Sequence, residues 1–83
     1  MSDAEFDLLD ELYFVQPFDY LKENLGWEDD HLLETLNSLY QEGLVKCLEE
    51  PDRERFDQVD IFREGKNLMF LATKKGLMAH NAL

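Results

Sequence analysis

The sequence predicts an α+β fold: three short helices, a small antiparallel β unit and a short closing helix. Three observations carry this. Apolar residues recur at helical spacing through the first half of the chain. Gly26–Trp27 and Gly43–Leu44 divide that stretch into helices with tight turns, because glycine suits the left-handed position after a helix and an apolar residue commonly follows it. From Leu44 onward the pattern shortens to that of strands.

Ser2-Asp3-Ala4-Glu5 has the S-x-x-E spacing of a capping box, so a first helix opens there. Leu8, Leu9, Leu12 and Tyr13 share one face of it, and Asp7, Asp10 and Glu11 the other. Pro17 ends the run and biases its predecessor toward extended geometry, so Phe14 to Gln16 is expected as a very short strand. The same proline suits the first position of a second helix, whose apolar stripe is Phe18, Leu21 and Leu25. Glu28-Asp29-Asp30 places acids at the start of a third helix, residues 29–42, with Leu32, Leu33, Leu36, Leu39 and Tyr40 inward. Leu44 to Leu48 reads as a strand and Leu68 to Ala72 as a buried apolar run. Between them, residues 49–57 are expected as an exposed loop, Val59-Asp60-Ile61 alternates like a strand, and Glu64 to Asn67 suggests a hairpin turn. Thr73 can cap a last helix carrying Leu77, Met78 and Leu83, which Gly76 weakens.

Length and composition bound the class. The 83 residues allow one domain, 1–83. Apolar content of 45%, with 15 leucines and six phenylalanines, is enough for a core and argues against disorder. No apolar run approaches the ~18 residues of a membrane span. The acidic start lacks the basic region of a secretory signal, and one cysteine excludes an internal disulfide, so the expected compartment is the cytoplasm. The formal net charge is −11, from 19 acids and 8 bases. Residues 1–43 hold twelve of the acids and one base, Lys22. Residues 44–83 hold seven of each, so the whole excess lies in the first half.

The element order and its punctuation resemble the winged helix-turn-helix superfamily. Phe18 to Gly26 is similar to the first helix of its pair, Leu32 to Leu39 to the second, and Leu39 to Val45 fits the L-x-x-x-G-[LI]-[VI] ending of that second helix. Leu71-Ala72-Thr73-Lys74-Lys75-Gly76 is similar to the L-T-x-x-G that closes the wing in several bacterial regulators, with Ala72 inserted before Thr73. The resemblance covers nearly the whole chain and implies a three-helix core, a small β wing and a short C-terminal helix. In DNA-binding members the second helix of the pair enters the major groove with polar and basic side chains.

This chain departs from that pattern. Its third helix has no Lys or Arg, and its expected outward positions are Asp30, His31, Glu34, Thr35, Asn37, Ser38 and Gln41. A carboxylate ~4 Å from a phosphate is repelled by ~1 kcal/mol in water and by ~4 at lower effective dielectric. A good bidentate base contact gains only ~1–3 kcal/mol. Two or three acids on this helix therefore cancel the best contacts that Asn37 or Gln41 could make. The bases cluster instead at Arg53, Arg55, Arg63 and Lys66, then Lys74 and Lys75, with Glu49, Glu50, Asp52, Glu54 and Asp57 interleaved.

The remaining candidates read as structural. Cys47 has no His at a recognised spacing and is expected to be a small buried residue. His31 and His80 belong to no ligand motif, Glu28-Asp29-Asp30 lacks the calcium-loop spacing, and neither glycine-rich phosphate loop occurs. Trp27 and Tyr40 are expected in the core, whereas Phe56, alone between Arg55 and Asp57, is a candidate exposed anchor.

The expectation is a non-enzymatic, cofactor-free winged-helix module. A protein partner, basic in character, would dock on an acidic helical face through Asp30, Glu34, Asn37 and Gln41, with Phe56 as a second contact. DNA is disfavoured, no membrane is involved, and the C-terminal helix is the expected homodimer contact. The alternative is a DNA-binding transcriptional regulator using Arg53, Arg55, Arg63 and Lys66 of the wing. A third reading is an acidic nucleic-acid mimic.

Overall fold

The computed structural model describes residues 1–82, and Leu83, expected on the last helix, lies outside them. Helix α1 spans Asp3–Glu11, and its start is the expected capping box. The Ser2 hydroxyl accepts from the Glu5 amide (3.1 Å), and the Glu5 carboxylate accepts from the Ser2 amide (2.8 Å). Leu8, Leu9 and Leu12 are fully buried beneath it.

The short strand β1 is Gln16–Pro17, one to two residues later than expected, so Phe14 and Val15 are loop. Pro17 stands at the cap of α2, Phe18–Leu25, rather than inside it. Its extended ψ of 159° lets it end the strand and start the helix at once. Gly26 takes φ 71°, the left-handed turn that closes α2. Helix α3, Asp29–Gln41, buries Leu32, Leu33, Leu36 and Leu39, and Gly43 at φ 75° turns the chain out of it.

The β half differs more from expectation. Strand β2 is Val45–Glu50 and reaches two residues past Leu48. It pairs with β3, Arg53–Glu54, in the stretch expected as a loop. The residues are polar because both side chains project to solvent-facing ion pairs, so no apolar alternation marks the strand. Val59-Asp60-Ile61 is not a strand. Val59 and Ile61 are both buried, and the Asp60 side chain caps α4, Ile61–Glu64. The expected turn at Glu64 to Asn67 is the end of α4 followed by a 3-10 turn, Gly65–Asn67. Strand β4, Met69–Ala72, and helix α5, Lys74–Asn81, complete the chain.

The result is α+β: helices against one four-stranded antiparallel sheet in the order β1-β4-β2-β3. Phe70 is fully buried at the sheet centre, opposite Gln16 on one side and Cys47 on the other. A backbone bond from Ala72 to Leu12 (2.9 Å) joins the halves, and one from Thr73 to Leu44 (3.0 Å) ties the end of β4 to the start of β2. The Thr73 hydroxyl adds a third, donated to Gly43 (2.7 Å), while accepting from the Gly76 amide. One core therefore spans helices and sheet, with Trp27, Tyr40 and Leu77 packed at its margin. No helix among the described residues is long and apolar enough to cross a membrane.

Candidate docking surfaces

Helix α3 presents Asp30, Glu34 and Gln41 to solvent, as expected, with Asn37 half-buried beside them and accepting from Gln41 (3.3 Å). Two of the seven expected outward positions turn inward. Thr35 is buried, and its hydroxyl is satisfied there by donating back to the His31 carbonyl (2.8 Å), a bond open to threonine one turn along a helix. Ser38 donates to Glu5 (2.9 Å) and so ties α3 to α1. His31 lies against the Trp27 ring, with centroids 4.4 Å apart.

The acids of the helical half divide sharply. Glu5 serves the capping box and Ser38, bonds that hold its carboxyl below the usual carboxylate range. Asp29 sits between Lys22 (2.7 Å) and Lys66 (3.1 Å), and the bond from Lys22 lowers its carboxyl likewise. Glu11 accepts from Asn24 (2.6 Å). Asp3, Asp7, Asp19, Glu23, Glu28, Asp30, Glu34 and Glu42 are exposed, and none makes a side-chain ion pair among the described residues.

Around β2 and β3 the opposite holds. Arg53 pairs with Glu49 (2.7 Å) and lies 3.9 Å from Glu50, and Lys46 pairs with Glu54 (3.0 Å). Arg55 is the most enclosed of these bases. It makes two 2.7 Å bonds to the Asp57 carboxylate and one of 2.9 Å to Glu64. Those bonds raise the guanidinium pKa further and bring Asp57 down to about 2. Of the bases offered as nucleic-acid contacts, Arg53, Arg55 and Lys66 are thus held by carboxylates of their own chain. Arg63 and, on α5, Lys74 are exposed with no carboxylate partner among the described residues.

Phe56 projects from this frame with 87% of its surface exposed. Its neighbours are fixed. Arg55 is caged as above, and the Tyr40 hydroxyl accepts from the Val59 amide (3.0 Å) while donating to the Asp57 carbonyl (3.4 Å). An open concavity of about 440 Å³ is lined by Glu49, Arg53, Arg55, Arg63, Glu64, Asn67 and Leu68. Phe62, on α4, is also exposed, as are Phe14, Tyr20 and Tyr13 in the helical half.

A polar cluster joins α5 to α1 that no short-range pattern announces. His80 Nδ1 is 2.6 Å from the Tyr13 hydroxyl, which also donates to Asn81 (3.1 Å), and the His80 ring stacks on Phe6 at 4.2 Å. The partners are 67 and 68 residues apart in sequence, so only the fold brings them together. With Leu77 and Ala79 packed on the core, Met78 is the one large apolar side chain that α5 exposes among the described residues.

Cys47 is almost wholly buried, and burial pushes its thiol up to about 12, outweighing the nearby Arg55. The described residues contain no group of three or more His, Cys, Asp or Glu able to hold a metal ion. No protein-family model, no curated protein and no solved structure matches the chain.

Proposed function

We propose that this chain is a non-catalytic winged-helix module that docks a basic protein partner on its acidic helical face. The order α1, β1, α2, α3, then β2 and β4 as an antiparallel pair with β1 on the β4 edge, supports the winged-helix reading. The observation that carries the function is the set of exposed carboxylates without ion pairs among the described residues of α1, α2 and α3, with no base on α3. Such a face repels phosphate and lowers the energy of an approaching cationic surface.

Two titrations test this. Labelled duplex DNA at low salt is expected to give no saturable binding; tight binding with a steep salt dependence would overturn the reading. A lysine-rich helical peptide is expected to bind, and Asp30→Asn with Glu34→Gln to weaken it by about tenfold, given ~0.2–1 kcal/mol per exposed pair. Asp52→Asn, at the β2–β3 turn, is the control and is expected to leave affinity unchanged. Equal loss from both variants would reduce the interaction to net charge and refute a docking face on α3.

The second reading, a DNA-binding regulator acting through the wing, is favoured by Arg63, Lys74 and Lys75, exposed bases without carboxylate partners among the described residues. Arg53, Arg55 and Lys66 would first have to leave their carboxylates to reach a phosphate.

A further inference from the structure

We propose that His80 is a proton-operated clasp that fastens α5 to α1 as the surroundings turn acidic. The seam between these helices is short of one proton. The Tyr13 hydroxyl lies 2.6 Å from His80 Nδ1 and 3.1 Å from Asn81 Oδ1, and it has a single proton to give. Asn81 Oδ1 can only accept, so the hydroxyl proton goes there and the shorter contact needs a proton on Nδ1. A neutral imidazole then has none left for Nε2. That atom is buried without a hydrogen-bond partner among the described residues, 3.6 Å from Asp10 Oδ1. In the neutral ring two acceptors face each other there. Taking up a proton from solvent turns Nε2 into a donor and makes the same contact an ion pair. With the Asn81 oxygen toward Tyr13, only the imidazolium fills all three contacts at once.

The neighbours favour the cation. His80 stands in the last turn of α5, the end of a helix that attracts positive charge. Its ring stacks on Phe6 at 4.2 Å, and an aromatic face also attracts a cation. From α1 the facing carboxylate is Asp10, with Asp3 and Asp7 elsewhere on that helix, Glu5 engaged with Ser2 and Ser38, and Glu11 with Asn24. β4, which also packs on α5, has no ionisable side chain. Lys74 and Lys75 stand in the first turn of α5, where Lys75 reaches the Glu42 carbonyl at the end of α3. Burial works against the charge, the His80 side chain being 10% exposed, and Asp10, the helix end and Phe6 together offset it. Imidazoles change charge between about pH 5 and 8. A contact made by the protonated form stabilises the fold at the acidic end of that window and is lost as pH rises through it, the opposite sense to a carboxylate. Above the window the last turn of α5 keeps the Tyr13 contacts and the packing of Leu77 and Ala79.

Nitrogen-15 spectra of the imidazoles at the basic end of the window, about pH 8, are expected to show neutral His80 with its proton on Nδ1. A proton on Nε2 would overturn the proposal. Urea unfolding of the parent, Asp10→Asn, His80→Gln and the double variant forms a cycle in which the general response of so acidic a chain to pH cancels. Coupling between the two positions is expected to be about threefold in the unfolding equilibrium constant at about pH 5.5 and absent at about pH 8, the range of a partly exposed ion pair. No coupling at the lower pH, or coupling equal at both, would overturn it. Asp10 is 64% exposed, so Asp10→Asn is expected to fold whatever becomes of His80→Gln. At about pH 6.5 its ratio of neutral to charged His80, read from the same spectra, is expected to be about threefold above the parent's. An unchanged ratio would overturn the clasp even where His80 proves important for folding.

Discussion

Arg55 turns its guanidinium inward to Asp57, Glu64 and Glu49, and in doing so fixes the loop that carries Phe56. The linkage to pH follows from Asp57. Its pKa is about 2 in the folded chain against an ordinary 3.8, chiefly through the Arg55 bonds. The unfolded chain therefore takes up this proton first as pH falls. The stabilisation is complete above the ordinary value and is lost as pH drops through the folded value. Asp57→Asn is expected to melt below the parent from pH 7 down to ~4, with the gap closing toward pH 2. Thermal melts across that range check this, and a gap independent of pH would refute it. At this scale the sequence was legible where a side chain acts alone. Buried Cys47 and exposed Phe56 follow from composition and context, whereas Thr35 and Ser38 turned inward, each satisfied by a single hydrogen bond that periodicity cannot register.

Among the elements, the three helices and their ends could be read because their determinants are local: a capping box, a proline and two glycines with positive φ. β3 and α4 could not. The first is two polar residues held by pairing with β2, and the second is four residues made helical by the Asp60 cap and the burial of Ile61. Gly76 shows how propensity can mislead. By propensity alone, alanine in a helix is better than glycine by ~1 kcal/mol, which makes Gly76 look like a weakness of α5. In the fold α5 crosses so closely over the end of α3 that a Cβ at Gly76 would run into the Leu44 carbonyl, backbone against backbone. Gly76→Ala is therefore expected to destabilise the protein by ~2–3 kcal/mol, as overpacking does. Urea unfolding measures it, and a neutral or stabilising result would mean that α5 shifts freely. Gly65→Ala is the informative contrast, since its Cβ would meet the flexible tip of Leu33 at 2.9 Å and the loss should be smaller.

For the whole molecule the charge division matters more than the net value. The helical half concentrates carboxylates with few partners, while β2, β3 and the segment after them neutralise themselves through Arg53, Arg55 and Lys46. Salt acts on the two halves in opposite senses. It screens repulsion among the acids of α1, α2 and α3, which favours the folded state, and it weakens the pairs around β2 and β3, which disfavours it. Exposed pairs contribute ~0–1 kcal/mol each and three of those here share the Arg55 guanidinium, so their loss is limited. Repulsion among the unpaired acids has no such ceiling within a screening length and is relieved when the chain unfolds. The first effect should win. The urea midpoint is accordingly expected to rise between ~10 mM and ~0.5 M sodium chloride, urea being uncharged and leaving ionic strength to the salt. Neutralising Asp7 and Glu34 should raise stability at the low end and do little at the high end. A midpoint that falls with salt would instead put the larger electrostatic contribution in the ion pairs of β2 and β3.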